Sequence, residues 1–243
     1  MKQGYSGSIV RLVGDQVEKV TSDCALSQDM DRQTALIDLS RRTAVLPRIS
    51  KVDGATIIME FVGGNEGLTK LNAQQAGASM RLLHDLNGFS HPCQTGVDWL
   101  VLLANTNLAR ANCSTRVAPG LAQHFQNDAL IHSEPTQFID TNAGRIVFID
   151  IEGIGRGSRY QDLGFIEYST RLSESPEVLV SFMRGYLSPP IQLDRWRMRQ
   201  MAGLIALAYS RFADTEKRQA LGLELMEEAE QHLEGDALQC TLR

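Results

Sequence analysis

The chain has 243 residues with 29 acidic and 24 basic side chains, which give a formal net charge of −5. This balance, without any run of five lysines and arginines, argues against a basic nucleic-acid surface. The four cysteines are too widely spaced for a disulfide framework, and no segment approaches the ~18 consecutive apolar residues of a membrane span. The N-terminus lacks the apolar stretch of a signal peptide, so we expect a cytoplasmic protein without nucleic-acid or membrane partners.

The first sixty residues alternate short β-branched runs with turn signals. Strands are predicted on both sides of Gly14-Asp15 and of Asp53-Gly54, because these dipeptides tolerate the positive φ of a two-residue hairpin turn. Between the hairpins, apolar residues recur at helical spacing from Ser27, which we expect to be the N-cap. The predicted elements are strands over 8–13, 17–20, 48–52 and 55–62 and a helix over 27–44.

Gly63-Gly64 interrupts the chain, and the pattern after it is mainly helical. The exception is a β-hairpin of residues 138–140 and 145–150 around Asn142-Ala143-Gly144. Helices are predicted over 68–88 and 97–111, and from about Glu177, Asp194 and Asp214 onward. The sequence therefore predicts an α+β protein with a small β-rich N-terminal lobe, residues 1–62, and a larger, mainly helical C-terminal lobe, residues 63–243.

Two features of the N-terminal lobe suit phosphate binding. Gly4-Tyr5-Ser6-Gly7-Ser8 is a short loop whose backbone N–H groups can approach phosphate oxygens closely. Lys19 follows on the next hairpin strand, where alternation puts it on the same face as Val17. Alone, each feature is more typical of an ordinary chain end or a solvated strand lysine, so both depend on agreement with the rest of the chain.

Acidic and amide side chains flank the predicted hairpin of the C-terminal lobe. Glu134 and Gln137 precede its first strand and Asp150 ends its second, so pairing brings all three to one end of the ribbon. Carboxylate and amide oxygens suit Mg²⁺, and a third acid can orient or deprotonate a hydroxyl. The alternative is that these side chains only cap turns and solvated loops.

The order of these features resembles the aminoglycoside phosphotransferase and choline kinase group of small-molecule kinases. The resemblance runs from about Gly4 to Phe165 and includes a "MEFVGG" linker and an "LLHDL" helix. Its most specific part is "FIDIEGIGRGSRYQDLGFI", residues 148–166, which is similar to the metal-binding aspartate segment of that family. The resemblance implies a two-lobed protein-kinase-like fold.

The same resemblance implies roles for individual residues. Lys19 would contact the nucleotide phosphates, Glu134 would be the catalytic residue that orients the acceptor hydroxyl and accepts its proton, and Gln137 and Asp150 would bind Mg²⁺. Asp162 would brace the catalytic segment, and His132 would support it by packing. The nucleotide, ATP or GTP, would be covered by the glycine loop and held by the linker; this set comprises Ser6, Gly7, Ser8, Glu60 and Val62.

Three departures from the family pattern support a second hypothesis. The family's His-Gly-Asp reads His132-Ser133-Glu134 here, and Gln137 stands where an asparagine is expected, in a shorter loop. Gln33 also occupies the helix position that would offer Lys19 a glutamate. The two hypotheses are a kinase that phosphorylates a hydroxyl of an aminoglycoside-like or other small molecule, and a pseudokinase that binds nucleotide or a partner without turnover.

Acceptor selection is expected in the helical lobe, because family members vary there while the phosphate-binding residues stay constant. Trp99, Trp196 and Tyr209 are candidates for lining an acceptor pocket. Aromatic residues at helical spacing belong more often to a core, and that interpretation is kept as the alternative.

Overall fold

The computed structural model describes residues 2–3, 8–21, 29–93, 95–141, 143–211 and 214–241. The chain opens with an antiparallel sheet in the strand order β1-β2-β3-β5-β4. Gly14 and Gly54 adopt φ values of 65° and 57° in the two hairpin turns, as their dipeptides predict. The strands are β1 (Lys2–Gln3), β2 (Ile9–Val13), β3 (Gln16–Val20), β4 (Ile49–Asp53) and β5 (Thr56–Glu60).

Helix α1, Met30–Arg42, packs against this sheet. Its Leu36 and Leu39 are buried beside the apolar side chains of β4 and β5. Asp29 caps the helix, because its Oδ1 accepts a hydrogen bond from the Arg32 backbone N–H at 2.8 Å. Ser27, the predicted N-cap, lies outside the described residues.

The other described strands form two small antiparallel sheets in the second part of the chain. One has the order β6-β8-β9 and contains the predicted hairpin, and the other pairs β10 with β7. Gly64 is required where the first of these begins: its φ is 156°, and a Cβ there would lie 2.2 Å from the carbonyl oxygen of Asp140. These strands are β6 (Gly64–Glu66), β7 (Ala129–Ile131), β8 (Phe138–Thr141), β9 (Ile146–Phe148) and β10 (Gly155–Gly157).

Helices make up most of the second part. The predicted helix at 97–111 is confirmed, whereas the one expected over 68–88 is shorter. α4 was not predicted, because buried polar residues such as Gln161, Asp162 and Glu167 obscure its apolar face. The helices are α2 (Ala73–His84), α3 (Val97–Arg110), α4 (Arg159–Leu172), α5 (Pro176–Tyr186), α6 (Arg195–Tyr209) and α7 (Thr215–Thr241), with short 3-10 helices at Pro119–His124 and Ile151–Gly153.

One continuous hydrophobic core joins α1 and the first sheet to the helices of the second part. The Phe148 backbone N–H of β9 also donates to the carbonyl of Val45 at 2.8 Å. The α+β class is thus confirmed, with a small antiparallel sheet at the start and a larger helical part after it. Within the described ranges, every helix is too short or too polar to cross a membrane.

Candidate active site

Lys19 is the buried cation of the candidate site. It lies on β3, is 5% exposed, and its Nζ lies 2.5 Å from Oδ1 of Asp150. Nζ also lies 2.7 and 3.0 Å from the two carboxylate oxygens of Glu152. Burial by itself lowers the pKa of Lys19, but the charges of Glu152 and Asp150 outweigh it and hold this pKa above its usual value. The lysine is therefore a desolvated, charged group held by two carboxylates.

Asp150 reaches Lys19 because the chain turns sharply after β9. Its backbone adopts a left-handed conformation with φ 62° and ψ 48°, and the 3-10 turn at 151–153 follows at once. The preceding Ile149 N–H donates to the Gln137 carbonyl at 2.9 Å, which fixes the end of the ribbon. A non-glycine residue in this conformation stores strain, and such strain is concentrated at functional sites. The Asp150 side chain keeps 42% of its surface exposed.

Arg32 of α1 holds the segment that carries Glu152. This residue is 4% exposed, and its guanidinium donates to the carbonyls of Pro92, Glu152 and Ile154 at 3.1, 2.9 and 2.8 Å. Lys19 is therefore firmly held although Gln33 occupies the position of the expected glutamate. The second carboxylate comes from Glu152, and α1 is linked to that segment through the neighbouring arginine.

Asp162 braces the segment that leads to Glu134. Its buried carboxylate accepts hydrogen bonds from the backbone N–H groups of His132 and Ser133 at 2.7 and 2.8 Å, and its Oδ2 lies 3.0 Å from Nε2 of His84. These contacts agree with the bracing role that the resemblance implies. Ser133 has a φ of 75°, so the brace holds a strained turn immediately before Glu134.

His132 supports this turn by packing. It is fully buried, and its ring centroid lies 5.5 Å from that of Phe148 in β9. Burial lowers the pKa of His132, which favours the neutral imidazole. The histidine therefore supports the segment that leads to Glu134 by packing.

Glu134 lies close enough to Lys19, Asp150 and Glu152 for their charges to shift its pKa. Burial raises the pKa of Glu134, the charge of Asp150 raises it further, and Lys19 opposes the shift. Gln137 is placed differently: its backbone is fixed to the same end of the ribbon, but its side chain is exposed. The structure thus places Lys19, Asp150 and Glu134 within range of one another's charges and leaves the Gln137 side chain exposed.

The structure describes three of the five predicted nucleotide-binding residues. Ser6 and Gly7 lie outside the described residues, and Ser8 is buried just before β2. Glu60 ends β5, where its carboxylate lies 3.2 Å from the guanidinium of Arg145, and Val62 is half-buried in the linker. The Glu60 side chain is engaged in this ion pair, and its backbone N–H donates to the Arg48 carbonyl at 2.8 Å.

The carboxylate oxygens of Asp150 and Glu152 and the amide oxygen of Gln137 are suitable ligands for Mg²⁺ when phosphate oxygens complete its coordination. Among the residues that the structure describes, no group of three or more His, Cys, Asp or Glu side chains could hold a metal alone. Asp150 and Glu152 both contact the Lys19 ammonium, so their carboxylates lie close together. Mg²⁺ commonly takes only one or two protein carboxylates, with phosphates and water supplying the rest.

Sequence reasoning missed the roles of Glu152 and Arg32. The signal for Glu152 was present, since it follows Asp150 by two residues in "FIDIEG". Arg32 gave no signal, because its three carbonyl partners lie 60 to 122 residues away in the chain.

Comparison with known proteins supports the fold. No protein-family model and no curated protein matches the sequence. Among solved structures, the chain is similar to a choline/ethanolamine kinase family protein from Mesorhizobium loti, with a TM-score of 0.61 and 15% identity over 93% of this chain and 85% of that one. A choline kinase from Streptococcus pneumoniae gives a TM-score of 0.58 and 14% identity over 96% and 91% of the two chains.

A spectinomycin phosphotransferase solved in complex with ADP and spectinomycin is also similar, with a TM-score of 0.52 and 14% identity over 88% of this chain and 81% of that one. The solved structures that resemble this chain thus come from the group whose motifs its sequence resembles. The two-lobed kinase-like fold that the resemblance implied is confirmed.

Proposed function

We propose that this protein transfers the γ-phosphoryl group of ATP or GTP to a hydroxyl of a small molecule. The observation that carries the proposal is the clamp in which Asp150 and Glu152 hold the buried Lys19 within electrostatic reach of Glu134. The fold shared with choline kinases and antibiotic phosphotransferases supports it.

Lys19 has the properties needed to offset the charge of the nucleotide phosphates. It is charged, desolvated and already oriented, so little reorganisation is needed when phosphate oxygens replace part of its carboxylate contacts. Asp150 and Glu152, together with Gln137, would hold Mg²⁺. When bound, this ion offsets the charge that develops on the phosphate oxygens.

Glu134 is the residue that orients the acceptor. Its carboxylate accepts the hydroxyl proton while the acceptor oxygen forms a bond to the γ-phosphorus and the bond from that phosphorus to the β–γ bridging oxygen breaks. The raised pKa of Glu134 makes it a stronger base than an exposed glutamate. The products are the phosphorylated acceptor and the nucleoside diphosphate.

A transfer assay with radiolabelled ATP or GTP, Mg²⁺ and a panel of sugars, amino sugars, amino alcohols and hydroxy acids tests the proposal. Asp150→Asn should lower kcat by ~10²–10³-fold through lost charge stabilisation. Glu134→Gln should lower it by ~10²–10⁴-fold with little effect on nucleotide affinity. Asp53→Asn is the control, because this carboxylate is exposed and pairs only with Lys51 in the β4–β5 turn.

Transfer that persists after Glu134 and Asp150 are both replaced by alanine would contradict the assignment of the site. If no acceptor is phosphorylated, a thermal-shift titration identifies the pseudokinase alternative. Nucleotide that stabilises the protein equally with and without Mg²⁺ indicates a binding module without turnover.

A further inference from the structure

A cavity opens between α4, the end of α6 and the start of α7. Its volume is about 350 Å³, and its walls include Phe165, Tyr168 and Ser169 from α4 together with Tyr209 and Arg218. Phe165 contacts both tyrosines edge to face, with ring centroids 5.8 Å apart in each pair. Aromatic faces and hydroxyl groups in this arrangement suit the ring and hydroxyls of a small organic molecule.

The cavity extends toward the catalytic segment. A second cavity of about 270 Å³ shares Ser169 and Ser173 with it and reaches Thr136, two residues after Glu134. Burial raises the pKa of Tyr209, and the charge of Glu134 raises it further. Because the two cavities share Ser169 and Ser173, we refer to them together as the groove, which has Thr136 at one end and Arg218 at the other.

Arg218, at the end of this groove, is a cation that has no anionic partner among the residues the structure describes. Its Nη1 donates to the Tyr168 hydroxyl, and its guanidinium carbon lies 5.7 Å from the centroid of that ring. Its Nε is buried and makes no hydrogen bond, and no carboxylate of the described residues lies within 4.0 Å of it. The neighbouring Lys217, in contrast, lies 3.3 Å from the Glu174 carboxylate.

We propose that the groove binds an acceptor that carries an anionic group, a carboxylate or a phosphate, in addition to the hydroxyl that is phosphorylated. Arg218 holds the anion, and Phe165 and Tyr209 contact the body of the molecule. A guanidinium presents a planar fork of donors that matches both anions. An ammonium group at the same place would be repelled by Arg218. This inference rests on the proposed function, since it assigns the acceptor of that reaction.

Acceptors with one carbon skeleton and different charge test the inference. Gluconate and glucose 6-phosphate are the anionic probes, glucitol is the neutral one, and glucosamine is the cationic one. We expect kcat/KM to fall in that order, with the two anionic probes distinguishing carboxylate from phosphate recognition. Preference for glucosamine, or equal kcat/KM for gluconate and glucitol when glucose 6-phosphate is no better, would overturn the inference.

Variants of Arg218 provide a second test of the inference. Arg218→Ala should raise KM for the preferred anion by ~10–100-fold relative to KM for glucitol, because a charge-assisted hydrogen bond is lost. Arg218→Lys should restore part of the difference. Lys217→Ala is the matched control, since this exposed neighbour does not line the groove. An unchanged KM ratio in Arg218→Ala contradicts the inference.

Calorimetric titration separates this inference from the proposed function. If no probe is phosphorylated, the proposed function fails, while anion binding that is lost in Arg218→Ala still supports an anion-recognising groove. The absence of binding to gluconate and to glucose 6-phosphate overturns the inference. Circular dichroism checks folding, and Tyr168→Phe, which removes only the hydroxyl that Arg218 contacts, replaces Arg218→Ala if that variant is unfolded.

Discussion

The ion pair between Lys19 and Glu152 makes a quantitative prediction about stability. We expect Glu152→Gln to lower the free energy of unfolding by ~2 kcal/mol, because it leaves the buried ammonium with Asp150 as its remaining carboxylate partner. The substitution keeps the shape of the side chain and one acceptor oxygen, but it removes the charge and replaces the other oxygen with an N–H₂ donor. Glu66→Gln is the control, since Glu66 is an exposed glutamate of β6.

The expected magnitude follows from the geometry. At the 2.7 Å separation of Nζ and the nearer Glu152 oxygen, the attraction is ~6 kcal/mol at an effective dielectric constant of ~20. Desolvation of Lys19, which is 5% exposed, cancels much of this attraction. Breaking a buried pair that has no second partner costs ~3–5 kcal/mol, so the retained contact with Asp150 reduces the loss to ~2 kcal/mol.

A double-mutant cycle with Lys19→Met measures the pair directly. Urea unfolding followed by circular dichroism should give a coupling energy of ~2 kcal/mol for Lys19 with Glu152 and close to zero for Lys19 with Glu66. Because the pKa of Lys19 is raised, this contribution is fully present below the usual lysine value of 10.5 and is lost as the pH rises through the folded-state value. A coupling below ~0.5 kcal/mol at pH 7 would refute the reasoning.

Three other predictions concern strained or titrating positions. Ser133→Gly should stabilise the protein by ~1 kcal/mol, because glycine adopts a φ of 75° without strain; a lower urea midpoint would contradict this. Gly64→Ala should cost more than ~2 kcal/mol, because its Cβ would meet the carbonyl of Asp140. Gly14→Ala, with open space around it, should cost only ~1 kcal/mol, and equal losses would count against the steric argument. For Glu134, kcat/KM should fall as the pH drops through a pKa above the usual glutamate value of 4.5, and an acidic limb that survives Glu134→Gln would assign the base elsewhere.

Much of the candidate site could be located from local sequence patterns. The hairpin turn signals were enough to bring Gln137 and Asp150 to one end of a ribbon, because antiparallel pairing follows from the turn and the alternation of the two strands. The same reasoning placed Lys19 on a strand after a hairpin. Local patterns do not give the distance between the two parts of the chain, so the contact of Lys19 with Asp150 could not be predicted from them.

Helix α4 shows where pattern reading failed. A helix is read from an apolar face opposite a polar one, but α4 is buried on most sides and places Gln161, Asp162 and Glu167 in the interior. Those polar groups are stable there through partners distant in sequence, such as the backbone of His132 and Ser133 for Asp162. Hydrogen-bond partners that are distant in the chain produce no periodic pattern in the sequence of the helix.

By itself, the sequence determined the α+β class, the two hairpins of the first sheet, and the identity of most charged groups of the candidate site, because turns and alternation are local properties of the chain. The tertiary structure alone decided how those charges pair. Lys19 is held by Asp150 and Glu152, and Arg218 lies at the end of a groove without a carboxylate, since burial and distance depend on segments that meet only when the chain is folded.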